Sequence, residues 1–160
     1  MHGHGVRSRS KRGPAAPGEA PQDGTVAVHR YRCKVCGQTV SVLPRGLVRR
    51  RLYAVTAIGL GLALFGVEGY SSAQVRSAVA PTASVREAAE GASWSTLRRW
   101  AHEAKAGTML EAGRSCPEGF TLRQAAERLA VTLEALGSRG LERLERVWQG
   151  SLEARWRGAS

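Results

Sequence analysis

The chain has 160 residues, 42% of them hydrophobic, so it is long enough for one domain or two small ones and too apolar to be disordered throughout. Its 24 lysines and arginines against 13 aspartates and glutamates give a formal net charge of +11, and all but Lys11, Lys34 and Lys105 of the basic residues are arginines. Arginine presents a planar fork of donors that suits phosphate oxygens and guanine edges, so the charge predicts a polyanionic partner; an arginine-rich surface that only keeps the protein soluble is the alternative.

The cysteine content indicates a reducing compartment. Three cysteines, two of them in one Cys-x-x-Cys pair, do not make a disulfide framework, and the N-terminus does not resemble a secretory signal peptide. A cytoplasmic location is therefore expected, and with a DNA partner the protein would be associated with the nucleoid.

The N-terminal part divides into an arm and a hairpin. Residues 1–25 are rich in Gly, Pro, His and Arg without apolar periodicity, which predicts a disordered basic arm. Residues 26–44 read as a strand, a Cys-x-x-Cys-Gly turn and a second strand, which predicts a β-hairpin that resembles part of a zinc ribbon. The two-residue gap lets Cys33 and Cys36 bind one zinc ion, while the glycine takes the turn's unusual dihedrals.

Two cysteines supply half of a tetrahedral zinc site. The candidate further ligands are His2, His4 and His29. A thioredoxin-type redox pair is the rival interpretation, but that motif stands at a strand-to-helix junction, and here both flanks are predicted strands. Cys116, alone in the sequence before Pro117, is interpreted as an incidental thiol.

A first helix is predicted over residues 46–65, from apolar residues spaced by threes and fours. It contains the run "AVTAIGLGLALFGV", about 14 apolar residues, which is short of the roughly 20 that a membrane span needs. A buried core helix is therefore predicted. A membrane-associated protein using residues 48–67 is the weaker alternative.

Two further helices complete a predicted helical domain over residues 46–108. Ser71 and Gln74 form the pattern of a capping box that begins a short helix, and Pro81 closes it. The third helix is predicted to run from an N-cap at Ser93 to Lys105. Its apolar face would pack on the core and leave its polar residues for phosphate and base edges; these are Ser95, Arg98, Arg99, His102 and Lys105.

Residues 119–157 are predicted to form a C-terminal helical hairpin. Thr121 and Gln124 make a second capping-box pattern, and leucines follow at four-three spacing up to Gly137. A similar apolar stripe runs from Leu141 to Trp156. The stripes permit a hairpin within one chain, a seam between two chains, or simple packing on the preceding helices.

Three stretches carry a resemblance to a known group of proteins. The sequences "HGHGVRSR", "RYRCKVCGQTVSVLP" and "WSTLRRW" resemble the zinc-ribbon plus helix-turn-helix proteins encoded in and beside bacterial insertion sequences, in particular a transposase-associated domain family of unknown function. The resemblance covers roughly residues 1–108. Such proteins carry another Cys-x-x-Cys before the His-Gly stretch, so the resemblance implies that the other half of the zinc site lies upstream of Met1.

The resemblance also implies a DNA-reading unit of three helices. The third would be the recognition helix, with Ser95, Thr96, Arg98, Arg99 and His102 closest to DNA. One departure is the long connection between Pro81 and Ser93, since a helix-turn-helix turn has three or four residues. The alternative DNA surface is the stretch "RGLVRRR", which contributes Arg45, Arg49, Arg50 and Arg51.

No catalytic set is predicted. Transposase chemistry uses metal ions held by a cluster of carboxylates, whereas this chain has a single aspartate, Asp23, and glutamates spread along amphipathic helices. We expect a mainly α DNA-binding protein of a mobile element, as accessory factor, regulator or degenerate fragment, with no small-molecule substrate. The alternative is a protein-interaction module that uses the C-terminal helices.

Overall fold

The computed structural model describes residues 1–81 and 94–158, in which a three-stranded antiparallel sheet precedes five helices in a mixed α/β fold. The strands are β1 (His2–Gly13), β2 (Gln22–Arg32) and β3 (Thr39–Val42). The helices are α1 (Val55–Gly66), α2 (Ser72–Val79), α3 (Ser95–Lys105), α4 (Leu122–Leu136) and α5 (Arg143–Glu153).

The sheet confirms the predicted hairpin and corrects the expected arm. Strands β2 and β3 pair on either side of the Cys-x-x-Cys turn. Residues 1–25 do not form a disordered arm, because β1 pairs with β2 from His2 opposite Arg32 to Gly13 opposite Gln22, with one irregularity between Gly3 and Val6. Most side chains of β1 are exposed, so the strand is held by backbone pairing and carries no apolar alternation that would reveal it.

Helix α1 begins at Val55, nine residues after the predicted start. The preceding residues form turns in which Gly46 and Arg50 have positive φ of 87° and 61°. The end of β1 also uses backbone groups that a longer helix would need. The backbone of Arg12 accepts a hydrogen bond from the Ala54 amide and donates one to the carbonyl of Leu52. The periodic pattern of residues 46–54 therefore reflects burial in a turn.

The apolar run of the sequence is explained by the central position of α1. Ten consecutive residues from Val55 to Leu64 are buried, and the helix packs against the other four helices. A Cβ at Gly59 would collide with Ser151 of α5, and one at Gly61 would lie 3.2 Å from the ring of Trp100 in α3. Among the helices of the described residues, none combines the length and the apolar composition of a membrane span.

The two predicted capping boxes are present, at the starts of α2 and α4. Helix α3 starts at Ser95 with Trp94 as its N-cap residue, and the expected N-cap Ser93 lies outside the described residues.

Helices α4 and α5 pack on each other within the chain and on α1. The second stripe was predicted to continue to Trp156, but α5 ends at Glu153. Trp156 is nevertheless buried, and its indole nitrogen donates to the carbonyl of Ser151.

Candidate nucleic-acid interface

Arginines from four separate segments meet at one cavity. The cavity has a volume of about 300 Å³ and lies between β1, the segment of residues 50–53, α2 and the start of α3. The arginines that line it are Arg12, Arg50, Arg51, Arg76 and Arg99. No acidic side chain is among the described residues that line it, so we call it the arginine cavity.

Two of these guanidinium groups are held by carboxylates that lie outside the cavity lining. Nε of Arg12 lies 2.7 Å from Oδ1 of Asp23, across the β1–β2 ladder. Arg51 donates a hydrogen bond to the carboxylate of Glu103 on α3. These pairs fix the direction of two cations and offset part of their charge.

Arg50 and Arg99 are exposed, and neither has a carboxylate partner within the described ranges. The φ of Arg50 is 61°, and it is the one residue other than glycine with positive φ in the part of the chain that the structure describes. A side chain in this region costs on the order of 1 kcal/mol or more, and such strain concentrates at functional sites. This strain makes Arg50 the first candidate among these arginines for contact with a ligand.

The floor of the cavity is aromatic. Tyr53, Trp94 and Trp100 contact each other edge to face, with ring centroids 5.1 to 5.8 Å apart. Burial raises the pKa of Tyr53 above its ordinary value, although the positive charge of Arg12 opposes the shift. Aromatic rings beside the arginines lower the local dielectric and strengthen the attraction between the arginines and an anion.

A second depression adjoins the cavity, and we call it the sheet groove. It has a volume of about 730 Å³ and shares Arg50, Arg51 and Leu52 with the arginine cavity. Arg9 ties its two sides together by donating to the carbonyls of Val48 and Arg51. Its further basic and hydroxyl side chains are Arg7, Arg49, Ser8, Ser10, Thr39 and Ser41. Cavity and groove together form the arginine surface.

The structure brings together only part of the predicted DNA-binding set. Thr96 and Arg99 line the arginine cavity, Arg49 lines the sheet groove, and Arg50 and Arg51 line both. Ser95, Arg98 and His102 are exposed on α3 but line neither depression.

Two of the predicted DNA-binding residues make hydrogen bonds elsewhere in the protein. Arg45 donates to the carbonyl of Leu152 at 3.2 Å and pairs with Glu153 of α5. Nζ of Lys105 donates to the carbonyl of Glu118 at 3.3 Å.

Four residues of the arginine surface were not predicted as binding residues from the sequence, namely Arg7, Arg9, Arg12 and Arg76. Those of β1 had a usable signal, because serines and basic residues alternate in "RSRSK" as on a strand with one basic face. Arg76 had none, since only the packing of α2 places it beside residues remote in sequence.

The Cys-x-x-Cys turn is held by backbone hydrogen bonds. The Cys33 amide donates to the carbonyl of Gln38 at 2.8 Å, and Gly37, with a φ of 72°, donates to the carbonyl of Cys33 at 3.1 Å. The backbone N–H groups of Cys36 and Val35 hydrogen-bond the sulfur of Cys33 and lower its pKa. These donors stabilise the thiolate of Cys33, the form of a cysteine that binds metal ions.

The three histidines lie at different places along the sheet. His2 pairs with Arg32, next to Cys33 in the sequence, whereas His29 lies farther along β2 opposite Val6, and His4 falls in the irregular stretch of β1. Within the described ranges, no three His, Cys, Asp or Glu side chains are grouped closely enough to hold a metal ion.

No protein-family model, curated protein or solved structure matches this chain. The resemblance to insertion-sequence proteins consequently rests on the three motifs quoted above.

Proposed function

We propose that the protein binds DNA through the arginine surface. The observation that carries this proposal is the convergence of arginines from β1, the segment before α1, α2 and α3 on one side of the molecule. Arginine forks form bidentate contacts with phosphate oxygens, and phosphate contacts supply most of the affinity of a protein for DNA. The resemblance suggests a role in a mobile element, as accessory factor, regulator or degenerate transposase fragment.

Helix α3 is proposed to enter the major groove from the edge of this surface. Arg99 would contact a phosphate at the arginine cavity, and the neighbouring Arg98, which is exposed, would contact a second phosphate. Ser95 and Thr96, in the first turn, are the candidates for base edges. The sequence departs from a helix-turn-helix in the length of the α2–α3 connection, so the proposal does not depend on that motif.

The test is binding to duplex DNA over a range of salt concentrations. Each of Arg50→Ala and Arg99→Ala should weaken binding to every sequence and reduce the slope of log K against log salt by about 0.9. Arg139→Ala is the matched control, because Arg139 is exposed in the turn between α4 and α5 and lines neither depression. Unchanged slopes in both test variants, or no binding at low salt, would contradict the proposal.

We also propose that Cys33 and Cys36 hold a structural zinc ion with ligands from outside the turn. When bound, zinc would fix the tip of the β2–β3 hairpin and would have no catalytic role. Since the turn lies outside the helical core, removal of zinc by a mild chelator should leave the helical circular dichroism unchanged. Loss of zinc binding in Cys36→Ser, but not in Cys116→Ser, is the expected result.

A second candidate function is protein interaction through the C-terminal helices. A groove of about 730 Å³ lies between residues 107–114, α4 and the end of α5, and its lining includes the apolar Leu129 and the exposed Leu136. Such a groove suits an apolar side chain of a partner, and a second copy of the chain is one such partner. Light scattering tests self-association: Leu136→Glu should convert a dimer that uses this groove into a monomer.

A further inference from the structure

We infer that the arginine cavity binds a phosphomonoester group, supplied either by the phosphorylated end of a DNA strand or by a free mononucleotide. This inference rests on the proposed function and deepens it, because it assigns to the cavity a preferred ligand, a terminal phosphate, beyond the internal phosphates that Arg50 and Arg99 would meet in a duplex. The rest of that DNA strand would then lie in the sheet groove. Three properties of the cavity support the assignment.

The first property is its shape. The walls come from β1, the segment before α1, α2 and α3, so four separate segments surround the arginine cavity, and the sheet groove beside it is larger, at about 730 Å³. An internal phosphodiester carries a sugar on both sides and runs along the surface of a rod, so it suits the larger groove. The cavity volume of about 300 Å³ is at the small end of the range for ligand pockets, and it suits one terminal nucleotide.

The second property is its charge. A phosphomonoester carries roughly two negative charges near neutral pH, and an internal diester carries one. Arg12 and Arg51 are already oriented by Asp23 and Glu103. Arg50 and Arg99 extend the positive wall, and the described lining adds no carboxylate. The excess of positive charge at the cavity matches a dianion better than a monoanion.

The third property is the pairing of a strained cation with an aromatic floor. Arg50 is held at a φ of 61° beside the cavity, as expected where a side chain is positioned for a ligand. Trp94 is half-buried in the lining, so part of its indole remains open to a sugar or base attached to the phosphate. Aromatic side chains that stack on bases are a common means of holding single strands.

The experiment compares three oligonucleotides of identical sequence, with a 5′-phosphate, a 3′-phosphate or hydroxyls at both ends, at about 150 mM salt to screen non-specific contacts. One phosphorylated form should bind about tenfold tighter than the hydroxyl form, as expected for a charge-assisted hydrogen bond that is gained. Arg99→Ala should reduce this ratio below about twofold. Arg7→Ala, in the sheet groove, should weaken all three forms alike and keep the ratio.

A second measurement separates the two sources of the phosphate. Adenosine monophosphate should raise the thermal midpoint of the wild type, and Arg99→Ala should abolish the shift, with circular dichroism to confirm that the variant folds. If AMP acts in this way and DNA does not bind, the inference holds for a free nucleotide and the DNA proposal fails. If all three oligonucleotides bind equally and AMP has no effect, the inference is overturned while DNA binding stands.

Discussion

The carboxylate of Glu103 on α3 accepts a hydrogen bond from the guanidinium of Arg51, which lies between β3 and α1. The side chain of Glu103 is 29% exposed and that of Arg51 is 18% exposed. This pair joins the segment that carries Arg50 to the helix that carries Arg99. The segment and the helix that carry these two candidate DNA-binding arginines are therefore linked by an ion pair.

Replacing Glu103 with Gln should lower the free energy of unfolding by about 1 kcal/mol, because a partly shielded, charge-assisted hydrogen bond becomes a weaker neutral one. The matched control is Glu153→Gln, which changes the pair with Arg45, whose side chains are 56% and 64% exposed. That change should cost less than about 0.5 kcal/mol. Urea denaturation measures both, and equal losses would show that Arg51–Glu103 is no more than a surface pair.

Replacing Arg50 with Gly should stabilise the protein while weakening its binding to DNA. Glycine adopts positive φ without strain, so relief of the strain outweighs the added freedom of the unfolded chain by up to about 1 kcal/mol. The salt slope of DNA binding should fall by about 0.9, because one phosphate contact is lost.

Arg49→Gly removes the same charge from the neighbouring position, where φ is not positive. It should destabilise the protein by about 0.5 kcal/mol, since glycine there only adds freedom to the unfolded chain. Thermal unfolding of the two variants therefore gives shifts of opposite sign. A lower midpoint for Arg50→Gly would show that this arginine stabilises the fold and is not strained for a ligand.

Replacing Gly150 with Ala should destabilise the packing of α5 on α4. An added Cβ would overlap the carbonyl oxygen of Leu133, and neither helix backbone can move freely, so a cost of about 3 kcal/mol or more is expected. Gly119→Ala is the control, because its Cβ would point into open space, and a change within about 0.5 kcal/mol is expected. Chemical denaturation distinguishes them; similar stabilities would mean that the helices are not in such close contact.

Local signals in the sequence predicted the parts of the fold that local chemistry determines. The capping boxes at Ser71 and Thr121 are present because a hydroxyl and a glutamine three residues later satisfy the free amides at the start of a helix wherever that helix packs. The hairpin around Cys33 is likewise determined by its turn residues and by the alternation of its strands.

The features that were not predicted depend on residues distant in the chain. Strand β1 is paired along its length with β2 yet mostly exposed, so no hydrophobic pattern marks it. Glycine has a low intrinsic helix propensity, yet α1 contains Gly59, which faces Ser151 of α5, and Gly66, which faces the backbone of α4 at Glu127. The arginine cavity could not be predicted because Arg12, Arg76 and Arg99 become neighbours only after three elements pack together.

The thiol of Cys33 should ionise at a lower pH in the folded protein than in the unfolded chain. The backbone N–H of Cys36 is the largest cause, followed by that of Val35, and both bonds favour the thiolate over the ordinary thiol with its pKa of 9.0. Since the folded-state pKa is lowered, this stabilisation of the hairpin is complete above the unfolded pKa and is lost as the pH falls through the lowered value.

The measurement is the rate of alkylation by iodoacetamide against pH in a variant with one thiol, Cys36→Ser combined with Cys116→Ser. The native variant should reach half of its maximal rate at a lower pH than the same variant in urea, because the backbone donors remain after the Cys36 thiol is removed. With Cys36 restored the midpoint should be lower still, since the second thiol donates another hydrogen bond to the sulfur. Coincident native and urea profiles would mean that the turn does not stabilise the thiolate, and the assignment of Cys33 and Cys36 as a zinc-binding pair would lose its structural support.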